Sequence, residues 1–237
     1  MVAIFVALMF ISFVLVDLFV QKLETRARAV HALGTHASSH PTAPARAARI
    51  PAWMQVPEGV YLSQGHSWAR PARGGIVRAG ADTLVGQAIG AVSRVVLPRV
   101  GDEVKAGEPL FGVESNGRAL TIASPVSGKV SKVNHLLQDQ PGLLAEEAFD
   151  RGWVCAISPE AAVQENGFLH YGAGAIAWFE QEMDRFREFI SARVAPEAAL
   201  GLTAQDGGVP VKGVLASFDA ETWEAFARSF LSREVHS

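Results

Sequence analysis

Apolar and polar positions divide the chain into four stretches of different period. Residues Val2 to Val20 are apolar throughout, apart from Ser12 and Asp17. An apolar helix of about 20 residues spans roughly 30 Å, the thickness of a bilayer's hydrocarbon core. The pattern predicts one transmembrane helix over residues 1–21. No lysine or arginine precedes it, so the charged start of a secretory signal is missing, and Lys22, Arg26 and Arg28 follow it. An uncleaved single-pass anchor in the cell membrane, with the C-terminal part in the cytoplasm, is the expectation. Asp17 reads either as an interfacial aspartate near headgroups or as a polar contact with a partner membrane helix.

Residues 22–59 lack a period. Ala, Arg, Ser and Thr alternate irregularly, and Pro41, Pro44, Pro51 and Pro57 oppose regular structure. If the stretch from about Thr25 to Pro57 is flexible, its roughly 30 residues reach about 30 Å. His31, His36 and His40 cluster here, and in such a context a solvated linker outweighs a metal site, which needs ordered ligands. Trp53 and Met54 either pack on the following domain or lie at the membrane interface.

From residue 60 to 160 the period shortens to two. Gly75 to Gly80 alternates apolar and other residues as one buried sheet face requires, and Val95-Val96-Leu97, Val113 and Val130-Ser131-Lys132-Val133 are further strand signals. Val113 to Leu120 reads as a hairpin with Asn116-Gly117 at its tip, because a tight two-residue turn needs φ > 0 at both positions. Cys155 and Trp153 alternate on one strand, which directs both toward the core and makes the thiol a structural one.

Residues 161–237 change period again. Ile176, Phe179, Met183, Phe186 and Ile190 recur at steps of three and four, which predicts an amphipathic helix over 175–194 that Pro196 ends. Glu180, Glu182, Asp184, Arg185, Arg187 and Glu188 read as mostly off that stripe. Gly207-Gly208 and the run from Val209 to Leu215 read as a turn and a short strand. Asp219 reads as the N-cap of a last helix whose face carries Trp223, Phe226, Phe230 and Leu231. These helices either cover the β domain or form a docking surface for another subunit.

Composition narrows the function classes. Of the residues, 49% are hydrophobic and 19% charged, as a folded core requires. A net charge of −3 gives no footprint of nucleic-acid binding. One cysteine forbids an internal disulfide and fits a reducing compartment. No nucleophile elbow, phosphate loop, paired-cysteine metal pattern or His-Glu-x-x-His is present, and Tyr171-Gly172-Ala173-Gly174 lacks the spacing of a dinucleotide fingerprint. No catalytic residue and no metal ligand is assigned, and the chain is read as not being an enzyme. From Glu160 onward there are 12 acidic and 6 basic residues, which opposes contact of that part with anionic lipid.

A longer pattern surrounds the hairpin. His66-Ser67-Trp68, Gly75 to Gly80, Leu97-Pro98, Val100-Gly101-Asp102-Glu103-Val104-Lys105-Ala106-Gly107-Glu108-Pro109, Glu114-Ser115, Ala123-Ser124-Pro125-Val126-Ser127-Gly128 and Gly152-Trp153 follow in that order. Together they resemble the H protein of the glycine cleavage system over about residues 60–160. The resemblance implies an α+β chain with a lipoyl-type barrel-sandwich hybrid β domain, flanked here by the transmembrane helix and the added C-terminal helices. Leu84 to Ile89 takes the place of the family's short helix. In the family, lipoate is carried on a lysine at the hairpin tip, in Glu-Ser-x-Lys-Ala. Spacing from Glu114 to Pro125 is unbroken, and the lysine slot falls on Gly117.

The attachment chemistry needs a primary amine, and Gly117 has no side chain. Arg118 is adjacent, but a guanidinium stays protonated and cannot serve as acyl acceptor. The tip residues Glu114, Ser115, Asn116 and Arg118 therefore carry no cofactor, Glu114 is read as a solvated carboxylate, and no bound cofactor is expected. Lys105, Lys129 and Lys132 are read as solvated surface residues. The expectation is a membrane-anchored, non-lipoylated accessory or scaffold subunit of a membrane-associated complex, a redox complex being one candidate, with other protein subunits as partners. Two alternatives stand beside it. One is the carrier of the glycine cleavage system, moving an aminomethyl group between its decarboxylase, aminomethyltransferase and dihydrolipoyl dehydrogenase. The other is a decoy that regulates lipoate-handling enzymes.

Overall fold

The computed structural model describes residues 55–163, 168–193 and 211–232. The predicted membrane helix, most of the linker with its three histidines, Trp53 and Met54, and Gly207 to Pro210 lie outside the described residues. Among the described residues, no helix is long and apolar enough to cross a membrane.

Among the described residues, two antiparallel sheets make the core. The larger has seven strands: β1 (Tyr61–Ser63), β2 (Ser67–Pro71), β3 (Val77–Ala81), β5 (Glu103–Val104), β8 (Gly128–Val133), β9 (Cys155–Pro159) and β10 (Leu169–Tyr171). They lie in the order β10-β1-β2-β3-β9-β8-β5. The smaller is β4 (Arg94–Val96), β6 (Pro109–Ser115) and β7 (Arg118–Ala123), in the order β4-β6-β7. Alternation decides what faces inward: Val77, Ala79 and Ala81 on β3, and Val113, Leu120 and Ile122 on β6 and β7, are all buried.

The expected short helix is α1 (Thr83–Ile89). Asp82 caps it, its Oδ1 accepting from the Leu84 N–H at 3.0 Å, and Gly90 ends it with φ 75°. Two single-turn helices follow β8, α2 (Leu136–Asp139) and α3 (Leu143–Glu146). Gly86 lets α1 lie against α3, because a Cβ there would stand 2.7 Å from the Ala145 methyl.

The extension folds onto this domain. Helix α4 (Gly172–Ser191) buries Ala175, Phe179, Met183, Phe186 and Ile190, as the periodicity predicts, while Ile176 is exposed. Glu182 is buried too, contrary to its assignment off the stripe; it lies three residues from Phe179 and four from Phe186, which is the same face. The expected strand ending at Leu215 is absent from the described part. A turn at Val211–Val214 leads into a 3₁₀ helix, Val214–Ser217, because Gly213 takes φ 78° and breaks an extended path. Helix α5 (Ala220–Phe226) begins at Asp219 as expected, the Thr222 N–H donating to Asp219 Oδ1 at 2.9 Å, and continues as a π turn over Ala227–Leu231. Phe186 and Phe189 of α4 meet Phe226 and Phe230 at ring separations of 5.4 to 6.2 Å.

One core assignment changes. Cys155 is buried, and burial pushes its thiol up to about 12, so it is inert. Trp153 is only half-buried, with Arg78 and Lys132 over its ring. Strand β9 begins at Cys155, so the alternation that would align Trp153 with it does not extend back that far.

Candidate functional site

Strands β6 and β7 pair from Pro109↔Ala123 to Ser115↔Arg118, leaving Asn116 and Gly117 as a two-residue loop. Asn116 has φ 52° and Gly117 φ 72°, the signs a type I′ turn requires. Both residues are exposed, and nothing lies within 4 Å of where a Gly117 Cβ would stand. The Asn116 side-chain amide donates to Ser115 Oγ at 3.2 Å.

Everything below the tip is fastened. Ser115 is fully buried, and its hydroxyl donates to the Ile89 carbonyl at 3.1 Å, tying the hairpin to the end of α1. Glu114 is not a freely solvated carboxylate. It faces Arg94 across β4 and β6, and Arg94 Nε donates to its Oε2 at 2.9 Å while Nη2 meets Oε1. That hydrogen bond, with the cation's field, holds the Glu114 carboxyl below the usual carboxylate range. Arg118 is committed as well. Its Nη1 donates to the Phe218 carbonyl at 2.9 Å, and its guanidinium sits 5.5 Å from the Trp223 ring centroid. Trp223 in turn donates from Nε1 to the Leu215 carbonyl at 2.7 Å.

The lysines are distributed elsewhere. Lys129 and Lys132 are exposed on β8 of the other sheet, and Lys105 is exposed just after β5. The structure does not bring these to the tip. A lysine that sequence reasoning passed over comes nearer. Lys212 is exposed in the turn closed by the Val214 N–H on the Val211 carbonyl at 3.0 Å. The next residue, Gly213, donates to the Gln87 carbonyl at 2.8 Å and packs on Gly90, at the same end of α1 that Ser115 touches. Gly213 alone, as a turn-favouring residue, is the local signal that could have marked it.

A second cluster joins the domain to its extension. His66 is fully buried with φ 55°. Its Nδ1 lies 2.8 Å from Asp82 Oδ2, and its Nε2 lies 3.3 Å from Glu182 Oε2. Arg185 Nη2 reaches the same Glu182 oxygen at 2.9 Å. Burial alone lowers an imidazole pKa; here Asp82 and Glu182 overturn it and raise His66 to about 9. The ring is thus a doubly donating imidazolium, holding α4 against the loop before β2. Among the described residues, no group of three or more His, Cys, Asp and Glu side chains could hold a metal ion.

The family model described as glycine cleavage H-protein matches residues 60–179. The chain belongs to the glycine cleavage H-protein family. The match runs past Glu160, where the sequence resemblance was expected to stop, and takes in the first part of α4. The glycine cleavage system H protein of Anaeromyxobacter sp. (strain K) is 38% identical over 106 residues, covering 45% of this chain and 82% of that protein. The H protein of Bacillus licheniformis is 32% identical over 119 residues, covering 50% and 93%. A crystal structure of the H protein from Mycobacterium marinum is 30% identical, with a TM-score of 0.46, and covers 53% of this chain and 99% of that one. H proteins are carriers that work with the other proteins of their system and are not catalysts, and this chain is not an enzyme. Glu182, which clasps His66, and all of the hairpin's contacts with residues 213–231 lie beyond the family match.

Proposed function

We propose that this protein is an H-type partner of the glycine cleavage proteins that holds no lipoate at its hairpin tip and is kept at a membrane by residues 1–21. The observation that carries the proposal is Gly117. It occupies the exposed apex of an otherwise ordered hairpin, at the family's lysine slot, and offers no amine. Arg118 beside it is held by the extension and is no acyl acceptor in any case. The apolar run from Val2 to Val20, followed by Lys22, Arg26 and Arg28, supports the anchor and a cytoplasmic domain.

Family membership and the H-protein relatives favour work alongside glycine cleavage proteins over a scaffold role in an unrelated redox complex. They also support a second reading, in which the protein remains a carrier and another lysine takes the arm. Lys212 is then the foremost acceptor, since its turn is pressed against the α1 end that also holds the hairpin. Affinity capture of the full chain from native membranes tests the partner claim. Recovery of glycine cleavage proteins supports it, and recovery of membrane redox subunits alone contradicts it.

A further inference from the structure

The strand register brings four cations onto one face of the larger sheet. Arg70 on β2 pairs with Arg78 on β3, Arg78 with Ala156 on β9, and Ala156 with Lys132 on β8. That row crosses four strands, roughly 14 Å at normal strand spacing. Ala156 is small, so the side chains from either side converge over it. Arg78 Cζ lies 5.2 Å and Lys132 Nζ 5.9 Å from the ring centroid of half-buried Trp153. The pairing of β8 with β9 shifts between Val130 and Lys132. This bulge inserts one extra residue, Ser131, and turns Lys132 to the same side as Lys129, although they are three positions apart. Val130 and Val133 are buried, and both lysines are exposed.

None of these four cations makes an ion pair among the described residues. The nearby acids are Glu103, which pairs with Lys129 in register, and Asp150, which acts on Arg70 through its field. Arg70 Nη1 also donates to the Phe149 carbonyl at 2.9 Å. Arg78, Lys129 and Lys132 are thus exposed on one side of the sheet, Arg78 and Lys132 beside the half-buried Trp153 indole and Lys129 opposite Glu103.

We propose that this sheet face lies against anionic lipid headgroups. A row of basic side chains around a tryptophan suits the bilayer interface, where indole rings settle at headgroup level and cations meet the negative surface potential. The inference rests on the proposed anchor.

The test uses full-length protein in lipid nanodiscs, either zwitterionic or containing a third anionic lipid. Amine acetylation is read by peptide mass spectrometry. Labelling of Lys129 and Lys132 is expected to fall by about threefold or more in anionic discs and to recover in high salt, while Lys105 and Lys212 stay unchanged. Arg78→Glu, at an exposed position, is expected to abolish the protection of Lys132. Equal labelling of Lys129 and Lys132 in zwitterionic and anionic discs, whether high or low, overturns the proposal. Failure of the chain to enter discs would count against the anchor alone; labelling with added anionic vesicles then decides the face.

Discussion

Arg118 and Phe218, one hundred residues apart, are joined by a hydrogen bond of 2.9 Å from the guanidinium Nη1 to the carbonyl oxygen. The bond fastens the C-terminal extension to the hairpin one residue from its apex. With Trp223 beneath the same guanidinium, it packs the flank of the tip against the extension.

Arg118→Ala removes the bond and the cation–π contact together. The expected cost is about 1–2 kcal/mol. Chemical denaturation measures it, and limited proteolysis is expected to cut residues 211–232 faster than in the parent protein. Unchanged stability and cleavage would show that the extension is held without Arg118.

His66 makes stability depend on pH with a defined sign. Its folded pKa of about 9 is above the ordinary 6.5. The associated stabilisation is therefore complete below pH 6.5 and is lost as pH rises toward and through 9. A shift of this size corresponds to roughly 3 kcal/mol. His66→Asn, a residue that tolerates positive φ, is expected to lower stability at pH 6 and to flatten the decline between pH 6.5 and 9. Denaturation midpoints across that range provide the check.

Gly90 meets Gly213 so closely that a Cβ on Gly90 would stand 2.7 Å from the Gly213 Cα, and its φ is +75°. Gly90→Ala is expected to destabilise the protein by about 2–3 kcal/mol and to displace the Lys212 turn. Gly59→Ala, where φ is also positive but no atom lies within 4 Å, separates the two causes. It is expected to cost about 1 kcal/mol.

Gly117→Lys restores an amine at the apex. Space is open there, so the cost is limited to the left-handed backbone, about 1 kcal/mol. The variant is expected to fold and to accept lipoate from a lipoate-attaching enzyme, read as a mass increase on the tip peptide. A folded variant without modification would show that the Asn116-Gly117 turn, or the clasp on Arg118, presents the position wrongly.

The hairpin was legible because its determinants are local: Asn-Gly demands positive φ, and the flanking alternation sets the register. The Asp219 cap was legible for the same reason. The His66 cluster was not, since its partner is 116 residues away and a glutamate on a helix ordinarily signals a solvated face. Only the spacing of Glu182 from Phe179 and Phe186 hinted otherwise. The clasp on Arg118 and the approach of Gly213 to Gly90 are tertiary, and no local pattern announces either. The cationic face depended on a bulge at Ser131, which moves Lys132 to a side that strict alternation denies it.

Intact mass of the full chain purified from its native source, followed by peptide mapping, decides whether a lipoyl group sits at the hairpin tip. An unmodified tip peptide spanning Glu114 to Arg118 is expected. An unmodified mass for the whole chain would further retire the carrier reading, and a lipoyl-sized adduct on Lys212 would favour it. An adduct mapped to the tip peptide itself would show that the hairpin carries the arm without a lysine at position 117.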